Sequence, residues 1–157
     1  MAKARARAIA DAAFLQADVR CMPFAPGAFD GVLCFGVTQA LDDSAPAVRE
    51  IARVLAAGGE LWIDGLNRWC VIHLYGSLRR RLRGRHRHLR YESPRSLLRL
   101  CRQGGLREVE LYWLPVLPAR SQRMQRFLES KAAVWLLRHV PFAGALVSHS
   151  FIVRARR

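Results

Sequence analysis

Residues 14–67 read FLQADVRCMPFAPGAFDGVLCFGVTQALDDSAPAVREIARVLAAGGELWIDGLN, and this stretch decides the fold. Phe14 to Val19 is a short apolar run that ends at the acid Asp18. Pro23, Pro26 and Gly27 then mark a loop. Phe29 to Phe35 is a second apolar run, too short for a helix and closed by Gly36. From Ala45 to Leu55, Val48, Ile51, Ala52 and Leu55 recur at helical spacing. Ser44 stands at the N-cap position of that helix, and Gly58-Gly59 are the expected stop. Leu61 to Leu66 is a third buried strand. Strands alternating with a helix of this length imply a parallel sheet joined by right-handed crossovers and covered by helices.

The same residues resemble a known family. Asp18-Val19, Met22-Pro23-Phe24, Phe29-Asp30, Arg49-Glu50-Ile51 and Arg53-Val54-Leu55 before Gly58-Gly59 are similar to the C-terminal motifs of class I S-adenosylmethionine-dependent methyltransferases. The nearest branch is the methyltransferase type 11 group, which includes quinone-biosynthesis enzymes. No single motif is specific; their order and spacing over about fifty residues are. Tyr91-Glu92-Ser93-Pro94, Gly104-Gly105-Leu106 and the closing run Ser148 to Arg154 extend the resemblance over nearly the whole chain. It implies an α/β, Rossmann-like methyltransferase sheet, mostly parallel with an antiparallel last strand, and S-adenosylmethionine as cofactor.

The resemblance also implies roles. Asp18 matches the acid that accepts a hydrogen bond from the adenine amino group, and the Val19 amide matches the one that reads the ring edge. Met22 and Phe24 are candidates for the adenine wall, although plain core is the commoner use of such residues. Cys34, Phe35 and Gly36, at the carboxyl end of their strand, are expected to border the methionine part of the cofactor. Gly36 permits close backbone approach. Asp64 and Asn67 fall at the expected substrate mouth, Asp64 as the best acid for orienting an acceptor, with helix capping as the alternative. Relatives often carry histidines in the loop occupied here by Gln39-Ala40, so no histidine base is expected there and the catalytic group is left unassigned. The double glycine is preceded by Ala56-Ala57 in place of the family's Lys-Pro, a departure that touches the turn more than the chemistry.

The family's glycine-rich turn and the acid-ended strand after it have no counterpart, since no G-x-G-x-G pattern occurs. In the family's strand order the missing pair lies between the Phe14 and Phe29 strands. The expectation is an N-terminally truncated domain lacking two βα units, about 60 residues. It would be a single partial domain over residues 1–157, holding half of a cofactor site and weak or inactive by itself. Two open sheet positions would favour a partner chain that supplies the strands.

Composition narrows the rest. The 157 residues suffice for one domain, and a 52% hydrophobic share excludes disorder. Twenty-six Lys and Arg against 12 acids give +14, which favours polyanions or an anionic membrane surface. An arginine-rich bias of the source is the plainer account, although it leaves the shortage of acids unexplained. Cys21, Cys34, Cys70 and Cys101 are too dispersed for a disulfide frame or zinc site, so they read as reduced thiols of a cytoplasmic protein. No apolar run reaches the ~20 residues of a membrane span. Residues 2–13 are helical by propensity.

Residues 68–92 form a basic, lid-like insertion. Trp69 to Leu82 is expected as a helix, followed by RRRLRGRHRHLR from Arg79 to Arg90, broken at Gly84. Arg79 and Arg80 are substrate-side candidates. A solvated basic face is the alternative. His86 and His88 lack a third ligand nearby, so no metal site is expected. Ser93-Pro94 starts a helix ended by Gly104-Gly105, and Leu106 to Leu114 alternates as a half-buried strand. A helix from Ser121 to His139 and a last strand from Ser148 to Val153 close the chain.

Two functions remain open on these grounds. One is methyl transfer to an unidentified small-molecule or lipid-like acceptor. The other is a non-catalytic basic module that docks on nucleic acid or an anionic membrane. No aromatic residue alternates with the arginines, which argues against nucleic acid as the partner.

Overall fold

The computed structural model describes residues 13–84, 89–114, 130, 135, 140 and 142–157. The helices expected at 2–13 and 121–139, and the His86/His88 pair, lie wholly or largely outside the described residues.

Four strands form one sheet in the order β1-β2-β4-β3, with β1 at Phe29–Cys34, β2 at Leu55–Leu66, β3 at Arg107–Leu114 and β4 at Ser150–Arg156. β1 and β2 pair in parallel, while β4 runs antiparallel to both β2 and β3. Three strands therefore point one way and the last points back, as expected. Helices α1 (Ala45–Val54), α2 (Val71–Arg81), α3 (Pro94–Gln103) and α4 (Ala143–Val147) complete the described elements, with a 3-10 turn at Thr38–Ala40.

The core lies where α1 and α3 cover one face of the sheet. Val48 and Ile51 of α1 and Leu97 and Cys101 of α3 meet Leu61, Ile63, Phe151 and Val153. These are the positions that the helical and alternating patterns select. The other face carries Trp62 stacked on Tyr112 at 5.7 Å, with Arg154 ion-paired to Glu60 beside them.

Three local expectations need correction. Phe14 to Val19 is not a strand: it makes only an isolated bridge from Asp18 to Cys21. A strand needs a ladder partner, and among the described residues β1 pairs only with β2. Second, Gly58-Gly59 do not stop α1, because the chain already turns extended at Leu55 (φ −69, ψ 138). β2 starts there, six residues before Leu61, and the β1–β2 register jumps from Phe29↔Leu55 to Gly31↔Glu60. The glycines belong to that bulged segment. Gly58 has φ +79, and a Cβ on Gly59 would sit 2.9 Å from the Ala56 carbonyl oxygen. Third, Ser44 occupies the N-cap position of α1 without capping it. Asp43 Oδ1 accepts the Ala45 N–H instead, and the Ser44 hydroxyl donates to Glu92 at 3.0 Å.

Candidate functional site

The carboxyl end of β1 is where a parallel sheet offers a ligand its backbone. Cys34 is buried there. Burial, and then the nearby Asp64 carboxylate, push its thiol up to about 11, so it is packing rather than a nucleophile. Phe35 is half exposed. Gly36 turns with φ +73, the left-handed region that a residue with a Cβ enters only at a cost. Its N–H donates to Asp64 Oδ1 at 2.8 Å, and Thr38 Oγ1 donates to the Asp64 carbonyl at 2.8 Å. Asp64 thus fixes the Gly36 turn from the neighbouring strand, whatever else it orients.

The segment from Asp18 to Phe24 is held against the last turn of α1 and the start of β1 through side chains rather than a ladder. Glu50 Oε1 accepts the Met22 N–H at 2.8 Å, and Arg53 Nη2 donates to the Met22 carbonyl at 3.2 Å. Glu50 and Arg53 are themselves ion-paired at 2.7 Å, which holds the Glu50 carboxyl down to about 2. The R-E-I and R-V-L motifs therefore clamp the candidate adenine wall. Val19 and Met22 pack against the core.

Asp18 is engaged. Arg20 donates to both of its oxygens, at 2.7 Å through Nη2, and its backbone N–H adds a third donor at 2.9 Å. The side-chain bond to Arg20 is the largest cause that lowers the Asp18 carboxyl to about 2. The folded value is depressed, so the contribution is present above the ordinary aspartate value and is lost as pH falls through that window toward 2. Arg20→Ala is expected to raise the Asp18 carboxyl toward the ordinary aspartate value by carboxyl NMR titration, short of a full return because the backbone N–H at position 20 still donates to it. An Asp18 that still titrates near 2 would show that another donor holds it.

Asn67 is fully buried. Its Nδ2 donates to the carbonyls of Ala145 (2.6 Å) and Ser148 (2.8 Å), and its Oδ1 accepts the Trp69 N–H at 3.0 Å. Those polar atoms fasten the end of β2 to the turn before β4. Arg79 is exposed and Arg80 half-buried at the end of α2, remote in sequence from the Gly36 turn, and no described hydrogen bond joins them to it.

Two clusters were not singled out in the sequence. One is Ser44, Arg90 and Glu92: Glu92 is buried, accepts from Ser44 at 3.0 Å and pairs with Arg90 at 3.1 Å. The other is aromatic. Tyr91 stacks on His73 with centroids 3.5 Å apart and meets His149 edge-on at 5.7 Å. Neither leaves a periodic signal, because each depends on a long-range partner, Ser44 with Arg90 46 positions apart and Tyr91 with His149 58 apart.

Among the described residues no group of histidine, cysteine or acid side chains can hold a metal, and no helix is long and apolar enough to cross a membrane. For S-adenosylmethionine one wall fits: a positive-φ glycine with its amide held, a half-exposed Phe35 and a clamped apolar segment at Val19 and Met22. Asp18 is taken up by Arg20.

Residues 1–63 match the family model for a methyltransferase domain. A ubiquinone biosynthesis O-methyltransferase of Aromatoleum aromaticum is 31% identical over 91 residues, 54% of this chain and 39% of that protein. The chain spans about two fifths of the length of the curated relatives it matches. In fold it is similar to an S-adenosylmethionine-dependent methyltransferase of Thermotoga maritima, with a TM-score of 0.62, 17% identity and cover of 90% of this chain and 62% of the other. It is also similar to a phosphoethanolamine N-methyltransferase of Haemonchus contortus solved with S-adenosylhomocysteine, with a TM-score of 0.55, 16% identity and cover of 89% and 36%. Over its first 63 residues the chain is similar to the methyltransferase-domain family, and its fold is similar to that of solved S-adenosylmethionine-dependent methyltransferases.

Proposed function

We propose that the chain is the acceptor-side part of a methyltransferase acting on oxygen of a small, quinone-like or lipid-like molecule in the cytoplasm. S-adenosylmethionine, when bound, supplies an electrophilic methyl group. The protein's part is to position and to exclude water. Gly36 and Phe35 line the methionine end, Val19 and Met22 the adenine end, and Asp18 takes the adenine amino group as Arg20 swings off. The observation that carries this reading is the Gly36 turn, pinned by Asp64 at the carboxyl end of β1. The curated relatives supply the oxygen acceptor by analogy.

Calorimetric titration with S-adenosylmethionine tests it. Weak binding is expected, because one wall alone grips the ligand, and Gly36→Val should weaken it at least tenfold. Failure to bind by this chain, and by the chain joined to a glycine-rich strand–turn–helix unit, overturns it. Strands donated by a partner chain at the outer edge of β1 would complete the same site; sedimentation would show the assembly.

A second reading, docking on an anionic membrane, is favoured by the way α2 faces. Val71, Tyr75, Leu78 and Leu82 follow helical spacing and are all exposed, Leu82 to 81%, while the buried position is His73, at 4%. Arg79, Arg80, Arg81 and Arg83 surround the outer end, and no acid occurs between Asp64 and Glu92. An apolar stripe ringed by arginines suits the boundary between headgroup and acyl chain. In this reading residues 68–92 are a lid that also meets the lipid. Co-sedimentation with phosphatidylglycerol vesicles is expected, and neutralising Arg79, Arg80 and Arg81 together should weaken it about 100-fold. Equal binding to phosphatidylcholine, or none to either, rules the surface out.

A further inference from the structure

We propose that Tyr91 and His149 form a proton relay for the acceptor hydroxyl, an inference that rests on the methyltransferase reading above. Both residues flank one point at the carboxyl end of β2. The His149 carbonyl accepts the Asn67 N–H at 2.9 Å, and the N–H of Glu92, next to Tyr91, donates to the Leu66 carbonyl at 2.8 Å. That point is two to three residues beyond Asp64, which holds the Gly36 turn. The Tyr91 hydroxyl lies 3.4 Å from His149 Nε2. Long contacts of this kind are common in ligand-free sites and tighten around substrate. Both side chains are half-buried, so the pair is reachable from solvent yet shielded from it.

The other titratable groups described above are committed. Asp18 is held by Arg20, Asp64 by the Gly36 amide, and Glu92 by Ser44 and Arg90. Cys34 is buried, and His73 lies buried behind the Tyr91 ring with its Nε2 toward Ser77 at 3.3 Å. Among the described residues His149 alone combines partial exposure with an imidazole nitrogen turned to a phenol. Burial pushes its value below the ordinary histidine one, so it stays neutral at neutral pH and able to accept.

The transfer balances as follows. The acceptor oxygen uses a lone pair to form the new C–O bond, and the pair of the broken S–C bond stays on sulfur. The acceptor's proton passes to Tyr91 Oη as the phenolic proton moves to His149 Nε2. The resulting imidazolium then returns its proton to water. Tyr91 is the group that would touch the acceptor, and His149 acts through it as a positioning residue. Among the described contacts, Tyr91 of the 89–92 segment meets the His149 ring, His73 of α2 stacks on that Tyr91, and the uncharged Asn67 at the end of β2 donates its backbone N–H to the His149 carbonyl.

The first readout needs no cofactor. Histidine ring signals followed against pH in the whole chain should show His149 titrating below the ordinary histidine value. Tyr91→Phe should raise it, because the phenol hydrogen bond favours the neutral ring. An identical titration in both proteins overturns the relay. The second readout is methylation of catechol. Tyr91→Phe and His149→Gln are each expected to lower kcat about 100-fold with KM little changed. Full kcat in Tyr91→Phe overturns the relay while the methyltransferase reading stands. A wild-type chain that binds no S-adenosylmethionine overturns that reading instead, and the histidine titration still judges the pair.

Discussion

Replacing Phe151 with alanine is expected to lower the melting temperature by about 10 °C. Phe151 is a large side chain with no exposure, on β4 between β2 and β3. Its ring lies over Gly65 so closely that a Cβ there would stand 2.7 Å from Cζ, and it meets Trp113 edge-on at 6.3 Å. Removing the ring forfeits its transfer free energy and leaves a cavity that neighbours on three strands cannot fill, about 4 kcal/mol. For a chain of this size each kcal/mol moves the midpoint by about 2–4 °C. Leu33→Ala, on the exposed edge strand β1, is the control and should change stability by less than about 0.5 kcal/mol. Calorimetry of both proteins checks the contrast. A Phe151→Ala midpoint within 2 °C of wild type, the shift expected from only about half a kcal/mol, would mean β4 is not the centre of the core.

The second large effect is expected at Glu92. Its carboxylate is almost fully buried, accepts from Ser44 and pairs with Arg90, and Arg90 also donates to Ser44 at 2.8 Å. Glu92→Ala leaves the guanidinium and the hydroxyl without their shared acceptor, a loss of about 3 kcal/mol. Glu92→Gln keeps the shape and one acceptor oxygen, so it should cost less. Arg90→Ala with Glu92→Ala should cost less than the sum of the two, because the second change removes the group the first left stranded. Urea unfolding of the wild type and the four variants measures this. Additive losses would show that the two residues act independently. The cluster ties the end of the 89–92 segment to the start of α1, so the same variants should also loosen the Tyr91 neighbourhood.

Much of the architecture was legible because periodicity reports burial directly. Val48, Ile51 and Ala52 mark the inner face of α1, and Leu97 with Cys101 that of α3. Val109, Leu111 and Trp113 mark the half-buried side of β3. The ordered motifs from Asp18 to Gly59 carried the resemblance, and they fall within the matched residues 1–63. The readings that failed are those in which a local signal competes with a distant partner. Ser44 has the chemistry of a cap, yet its hydroxyl is used by Glu92, 48 residues on. Phe14 to Val19 has the composition of a strand, yet a strand exists only where another lies beside it. Gly58-Gly59 resemble a helix stop, yet β1 pairing draws Leu55 into the sheet first.

The sequence alone therefore determined the kind of sheet and the residues that fill its core, since these follow from the alternation and order of residues close together in the chain. Only the tertiary structure decided what the polar groups do. It gave Asp64 to the Gly36 amide, Asp18 to Arg20 and Asn67 to the turn before β4, and it brought Tyr91 to His149. A hydrogen bond depends on where two atoms lie in space, and the folding that joins residues 58 positions apart leaves no periodic trace along the chain.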